Sequence, residues 1–389
     1  TAVPLVLTSL VAGVASLSDF KKLSRMGSKT IAIYIATTAI AVTIGLLTVN
    51  LIKPGERFPD KTKDELKAQY KSTVESKEET AKVVDERGPL QPLIDMVPEN
   101  FFGSASSNSN MLQLVFVSLL IGIALVQVEQ EKRQPVLLLF EGLQSVVIKL
   151  VNMIMLIAPI GVFALITKTI TTLTVGDDGQ ADLSQIGSIL GALGYYCAAV
   201  IVGLSLHVTI VYIGILKFFT PIKISRFFKA IGPAQLLAFS TSSSGATLPV
   251  TMRQCREKLG TSKETTSFVL PLGATINMDG TAIMQGLATV FIAQMSGIDL
   301  TLFQYVQVVL LAVATSIGTA AVPSAGTITL IIILQQFNLP LEAIGIILAV
   351  DRVLDMLRTS VNVTGDAAIA CIVAKTENQL DENIFNSKA

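Results

Sequence analysis

Residues 239–249 read FSTSSSGATLP, and residues 316–327 read SIGTAAVPSAGT. Each is a break rich in Ser, Thr and Gly, with a proline, set between apolar arms of roughly 15 residues. In a water-soluble chain such strings are loops. The surrounding composition argues otherwise: the 389 residues are 51% hydrophobic and 15% charged, where soluble domains carry about 25% charged residues. Mean hydropathy is +0.63. Apolar spans at 31–52, 110–127, 141–173 and 186–219 are long enough to cross ~30 Å of hydrocarbon as helices. A break deep in lipid leaves backbone groups without helical partners, which is tolerated only where protein buries it or an aqueous cavity reaches it. Arms this short fit two re-entrant helical hairpins, at 224–258 and 302–338, with their tips near the midplane.

The basic residues set the orientation. The loop DFKKLSRMGSK (19–29), the EKR before residue 141 and KFFTPIKISRFFK (217–229) alternate with the other side, so they are expected in the cytoplasm. Residues 53–109 hold nine basic and eleven acidic side chains and are expected to face outward. Their DELKAQYKSTVESKEETAKVVDE reads as a solvated surface helix with no chemistry implied. With the hairpins in place, spans 263–297 and 341–375 cross fully, the former interrupted by TINMDGT (275–281), and 378–389 is a cytoplasmic tail. The opening TAVPLVLTSLVAGVASL mimics a signal-peptide core but lacks a basic leading region, and is expected to be the latter part of a transmembrane helix. The expectation is an all-α, multi-pass membrane protein. Paired broken elements in its halves point to inverted repeats around a midplane site.

Several function classes drop out. Charge balances at 29 basic and 29 acidic residues, which points to no nucleic-acid partner. Cys197, Cys255 and Cys371 lack ligand spacing and read as buried small hydrophobes. His207, the sole histidine, reads as a satisfied polar contact within an apolar span. No GxSxG, HExxH or P-loop occurs, so neither hydrolytic catalysis nor ATP-driven transport is expected. An ion channel is the stronger rival, because broken helices also build selectivity filters.

Residues 351–366, DRVLDMLRTSVNVTGD, concentrate ionisable groups inside an apolar span. On a helix, measured from Asp355, Asp351 falls at about −40°, Arg358 at −60°, Asn362 at −20°, Asp366 at +20° and Thr359 at +40°. One face carries them all, while Val353 and Val361 point elsewhere. Internal Asp–Arg pairing for helix packing accounts for part of this stripe. A ligand site accounts for more: Arg358 offers a guanidinium fork to a carboxylate and Asp355 an anion to an ammonium group. That pair fits an amino acid with an extra carboxylate. Asp366 and Asp279, each near an asparagine (Asn362 and Asn277), suit a small cation such as Na⁺. Calcium would want more carboxylates at one site.

TSSSGATLPVTM, LPLGATINMDGTA, SIGTAAVPSAG and DMLRTSVNVTGD, in this order, resemble the dicarboxylate/amino acid:cation symporter family in its glutamate/aspartate transporter branch. The resemblance runs to about residue 377. It implies a homotrimer in the plasma (inner) membrane, with scaffold helices (1–30 and 110–173) and elevator-type transport parts (31–52, 186–219 and 220–377). The second hairpin would be the outer gate. It also implies that Arg358 holds the ligand's side-chain carboxylate and Asp355 its amino group. Thr359, Asn362 and Thr281 would complete the pocket, closed over by hairpin tips near Ser244 and Val322. One sodium would use Asp366 with Gly273, Asn277 and Asn362, and a second Thr275, Ser316, Ile317 and Thr319. A third would use Tyr34, Thr37, Thr38, Asn277 and Asp279. Having both Arg358 and Asp355 favours L-aspartate or L-glutamate over neutral amino acids or plain dicarboxylates. Gln285 stands where vertebrate members carry a glutamate linked to proton and potassium coupling. Neither of those couplings is therefore expected; the complete third site argues for coupling by sodium, with no cofactor, and proton-coupled transport of glutamate, aspartate or C4-dicarboxylates is the alternative.

Overall fold

The computed structural model describes residues 2–15, 20–57, 97, 98, 100–106, 111–155, 183–317, 325–337 and 339–386. Among them the chain is helical, with no strand beyond one isolated bridge between Thr261 and Leu380. The helices are α1 (Ala2–Ala15), α2 (Phe20–Ile52), α3 (Phe101–Ala105), α4 (Met111–Gln127), α5 (Gln130–Met155) and α6 (Leu183–Leu206). A π-helical turn, His207–Tyr212, joins α6 to α7 (Ile213–Phe219). Then come α8 (Ile224–Thr241), α9 (Ser244–Leu259), α10 (Lys263–Ile276), α11 (Asp279–Met295), α12 (Leu302–Ile317), α13 (Ala325–Gln336), α14 (Ile344–Thr376) and α15 (Glu382–Asn386).

Two expected boundaries need correction. Residues 20–29, read as a basic loop, are the first turns of α2, and the EKR read as lying before a span is inside α5. Lys, Arg, Ser and Met all tolerate helix; hydropathy marks how much of a helix suits lipid, not where the helix begins. The expected surface helix and the expected span beyond Met155 lie outside the described residues, as does the tip of the second hairpin.

The break at FSTSSSGATLP has a local cause. Ser242 takes a left-handed conformation (φ 51°) and caps α8, while extended Ser243 caps α9 by accepting the Ala246 N–H on its Oγ at 3.2 Å. A non-glycine residue there costs about 1–2 kcal/mol, partly offset by the cap. α8 and α9 then fold back onto each other, and both lie against α14. The break at TINMDGT is smaller: only Asn277 and Met278 leave the helical region, between α10 and α11. Every residue from Thr265 to Ala293 is buried, so this broken helix is surrounded on all sides.

α14 is the hub, packed against α6, α8, α9, α10 and α11. Outer helices show the reverse pattern. Leu139, Leu143, Val146, Leu150 and Met153 follow helical spacing along α5 and are all exposed. An uninterrupted apolar face of this kind suits hydrocarbon. Ser24–Ile52 and Leu193–Phe219 are long and apolar enough to cross a membrane.

A polar latch ties the first turns of α2 to the residue after α14. Arg25 Nε and Nη2 donate to Glu377, just beyond α14, with Nη2 at 2.6 Å, and Lys29 Nζ adds a contact at 2.5 Å. The hydrogen bond from Arg25, reinforced by Lys29, holds the Glu377 carboxyl below the usual glutamate range. A depressed carboxyl stabilises the fold above its unfolded pKa (about 4.3), and that contribution disappears as pH falls through the folded value. Arg25 is more than half exposed, so screening limits the latch to about 1 kcal/mol. Glu377→Gln is accordingly expected to lower the melting temperature by a few degrees at pH 7. The gap to the parent protein should close in acid; a gap that persists at pH 3 would assign Glu377 a packing role instead.

Candidate functional site

The predicted stripe on α14 is a buried face. Asp351, Asp355, Arg358, Thr359, Asn362 and Asp366 are each less than a tenth exposed, whereas Val353 is exposed. Arg358 Nη1 donates to Asp351 Oδ1 and Nη2 to Asp355 Oδ1, both at 2.9 Å. The internal pairing weighed from sequence is therefore present, and it includes Asp351, two turns away. Arg358 Nε, also buried, makes no hydrogen bond among the described residues. Thr359 returns its hydroxyl to the Asp355 carbonyl at 2.8 Å.

Toward the Asp366 end of the stripe, the break between α10 and α11 meets α14. Gly280 N–H, at the start of α11, donates to Asn362 Oδ1 at 2.7 Å. Asn277 Nδ2 donates to Asp366 Oδ1 at 2.8 Å and to the Asn362 carbonyl at 3.2 Å. Asn277 Oδ1 is buried without a partner. Close approach requires glycine here. A Cβ on Gly280 would lie 2.7 Å from the Arg358 carbonyl, and one on Gly273 would lie 2.6 Å from Asp366 Oδ1.

Asp279 opens α11 and anchors a second cluster. Its Oδ1 lies 2.6 Å from Thr38 Oγ1, while Oδ2 accepts from Tyr212 at 2.8 Å and contacts His207 Nε2 at 3.0 Å. α2 delivers Tyr34, Thr37 and Thr38 together. Thr37 and Thr38 both return hydroxyls to the Tyr34 carbonyl, and Tyr34 donates to the Val269 carbonyl at 3.0 Å.

The remaining predicted residues are placed as follows. Thr281 is buried on α11, where Gly326 of α13 approaches it closely. Ser244 is buried at the start of α9. Thr275 and Ser316 are buried with hydroxyls on the carbonyls of Leu272 and Val313, and Ile317 ends α12. Thr319 and Val322 lie outside the described residues. Sequence reasoning placed His207 in a polar contact without naming its partner and missed Tyr212 altogether.

Of the four buried carboxylates, Asp351 and Asp355 bond to Arg358, Asp279 to Thr38, Tyr212 and His207, and Asp366 to Asn277. A charge at the centre of a membrane helix costs about 2.5–3.5 kcal/mol on insertion scales, so any ionised carboxylate here must be balanced by its own partners or by a bound cation. No group of three or more His, Cys, Asp and Glu suited to a metal occurs among the described residues. Asp279 is instead flanked by the neutral hydroxyl oxygens of Thr38 and Tyr212, a donor set that fits a small monovalent ion.

A helical bundle with interrupted helices and buried ionisable groups belongs to the class of secondary transporters. More narrowly, the chain belongs to the sodium:dicarboxylate symporter family, whose model matches residues 1–376. It is 35% identical over 380 residues to the proton/sodium-glutamate symport protein of Geobacillus stearothermophilus, covering 98% of this chain and 85% of that one. It is 36% identical over 427 aligned residues to mouse excitatory amino acid transporter 3, covering 99% of this chain and 78% of the relative. It is also 31% identical to the proton/glutamate-aspartate symporter of Escherichia coli K12, covering 97% and 82%.

Proposed function

We propose that the chain imports an acidic amino acid, L-aspartate or L-glutamate, together with sodium across the plasma membrane. The observation that carries this is the buried face of α14, where the Arg358–Asp355 pair is followed by Asn362 one turn on and Asp366 a further turn on. A ligand carboxylate meets Arg358 and its ammonium meets Asp355, relieving the surplus negative charge around the guanidinium. Thr359, Asn362, Thr281 and Ser244 line the same pocket, with Val322 at the second tip. Asp366 with Asn277, Asn362 and the Gly273 carbonyl holds one sodium. Thr275, Ser316, Ile317 and Thr319 hold a second, and Asp279 with Tyr34, Thr37, Thr38 and Asn277 a third.

The relatives' names include proton/sodium-glutamate symport and proton/glutamate-aspartate symport. The neutral hydroxyl oxygens of Thr38 and Tyr212 around Asp279 favour a metal ion over a proton there. In the same proposal, α8–α9 and α12–α13 are re-entrant hairpins, and the transport parts (31–52, 186–219 and 220–377) move as an elevator. They move against scaffold helices within a trimer, and the second hairpin opens outward. The protein works as a transporter without cofactor or catalytic step. Uptake of labelled aspartate into proteoliposomes tests this. Accumulation should follow an inward sodium gradient; uptake that ignores sodium and follows a pH gradient would replace sodium with protons.

A further inference from the structure

The π-turn at His207–Tyr212 interrupts an otherwise regular apolar helix, and its consequence is local. In an α-helix, residues five apart point about 140° away from each other. The i→i+5 bonding of a π-turn, marked by the Ile213 N–H on the Val208 carbonyl, brings them closer to one face. His207 and Tyr212 accordingly sit with ring centroids 4.6 Å apart, edge to face. Both are fully buried, and both reach the same atom, Asp279 Oδ2, at 3.0 and 2.8 Å. The Tyr212 hydroxyl is pinned from behind: any side chain on Gly365 of α14 would collide with it.

The opposite side of Asp279 is under-supplied with hydrogens. Thr38 Oγ1 lies 2.6 Å from Asp279 Oδ1 and 2.8 Å from the Tyr34 carbonyl. A hydroxyl has one hydrogen, which serves one strong acceptor at a time. Asn277 Oδ1, buried nearby without a donor, adds another unsatisfied oxygen. Donors converge on one face of the carboxylate and bare oxygens on the other.

We infer that His207 and Tyr212 are positioning residues for the coupling cation: they hold Asp279 Oδ2 so that Oδ1, the Thr38 hydroxyl and Asn277 Oδ1 present lone pairs to the ion. This rests on the proposed cation site at Asp279. Groups that orient a ligand are worth about 10–100-fold in metal affinity. They act without touching the ion, so their loss shifts how much sodium is needed more than how fast a loaded protein turns over.

The test is aspartate uptake as a function of sodium in proteoliposomes. Tyr212→Phe, which keeps the ring and removes the hydroxyl, is expected to raise half-saturating sodium about tenfold. The rate at saturating sodium should stay near that of the parent. His207→Leu should behave likewise, while His207→Gln, which retains a donor, should restore the parent curve. Half-saturating sodium unchanged in both Tyr212→Phe and His207→Leu would overturn the inference, as would a lowered maximal rate alone. Uptake by the parent protein that shows no sodium dependence would instead bring down the cation site itself, a result visible without any variant.

Discussion

Replacing Arg358 with cysteine is expected to reduce aspartate and glutamate uptake between about 30-fold and a few thousand-fold, while neutral amino acids become substrates. The reduction follows from burial. Arg358 is 1% exposed and bonds both Asp351 and Asp355. A ligand carboxylate brought to this position without it would face two carboxylates and no counter-charge. Truncating one partner of a buried, hydrogen-bonded charge pair costs about 2–5 kcal/mol. The gain arises because Asp355 survives: an ammonium group still finds its anion, and the space vacated by the guanidinium accepts an uncharged side chain. Competition of labelled serine, cysteine and aspartate for uptake measures both arms. Undiminished preference for aspartate would remove Arg358 from the ligand site and leave it as a helix-packing pair with Asp351. Uptake of a neutral amino acid also shows that the variant folds.

Asp366→Asn is expected to raise the sodium concentration required for half-maximal uptake by tenfold or more, with a smaller effect on the ligand's own contacts. Asparagine keeps the shape and one acceptor oxygen but removes the charge. At an effective dielectric of 20, two unit charges 4 Å apart attract by about 4 kcal/mol; part of that is lost to desolvation of the pair. Asn277 donates to Asp366 Oδ1 and also to the Asn362 carbonyl. The substitution therefore acts where the break in the α10–α11 helix meets α14, one turn from Asn362. A sodium curve superimposable on that of the parent would show that Asp366 holds no coupling ion.

Much of this arrangement is readable from the sequence, and for physical reasons. The break at FSTSSSGATLP is visible because a run of Ser and Thr interrupts an apolar span; Gly245 and Pro249, which the sequence also reads as breakers, lie inside α9 instead. The α14 face is visible because a 100° step turns DRVLDMLRTSVNVTGD into one stripe. Helix starts are less legible: α2 begins at Phe20 and α5 at Gln130 because charged residues outside the hydrocarbon still favour helix. Pairing is harder again. The stripe put Asp351 beside Arg358 but did not reveal that one guanidinium divides itself between two aspartates. His207 and Tyr212 were out of reach, because five-residue spacing shares a face only where the helix widens into a π-turn, and nothing in HVTIVY announces one. Arg352, at the edge of the stripe, has no role that the structure explains.

In the proposed arrangement ligand and ion occupy neighbouring turns of α14, and in a symporter each is expected to strengthen the other's binding, by the same factor in both directions. The measurement that tests this most directly is aspartate affinity in detergent, titrated once in sodium chloride and once in choline chloride. Kd is expected to fall steeply as sodium rises and to stay weak in choline, with the Asp366→Asn protein showing a flattened response. Equal affinity in the two salts would contradict the account, because a solute that binds without its ion cannot be driven by it.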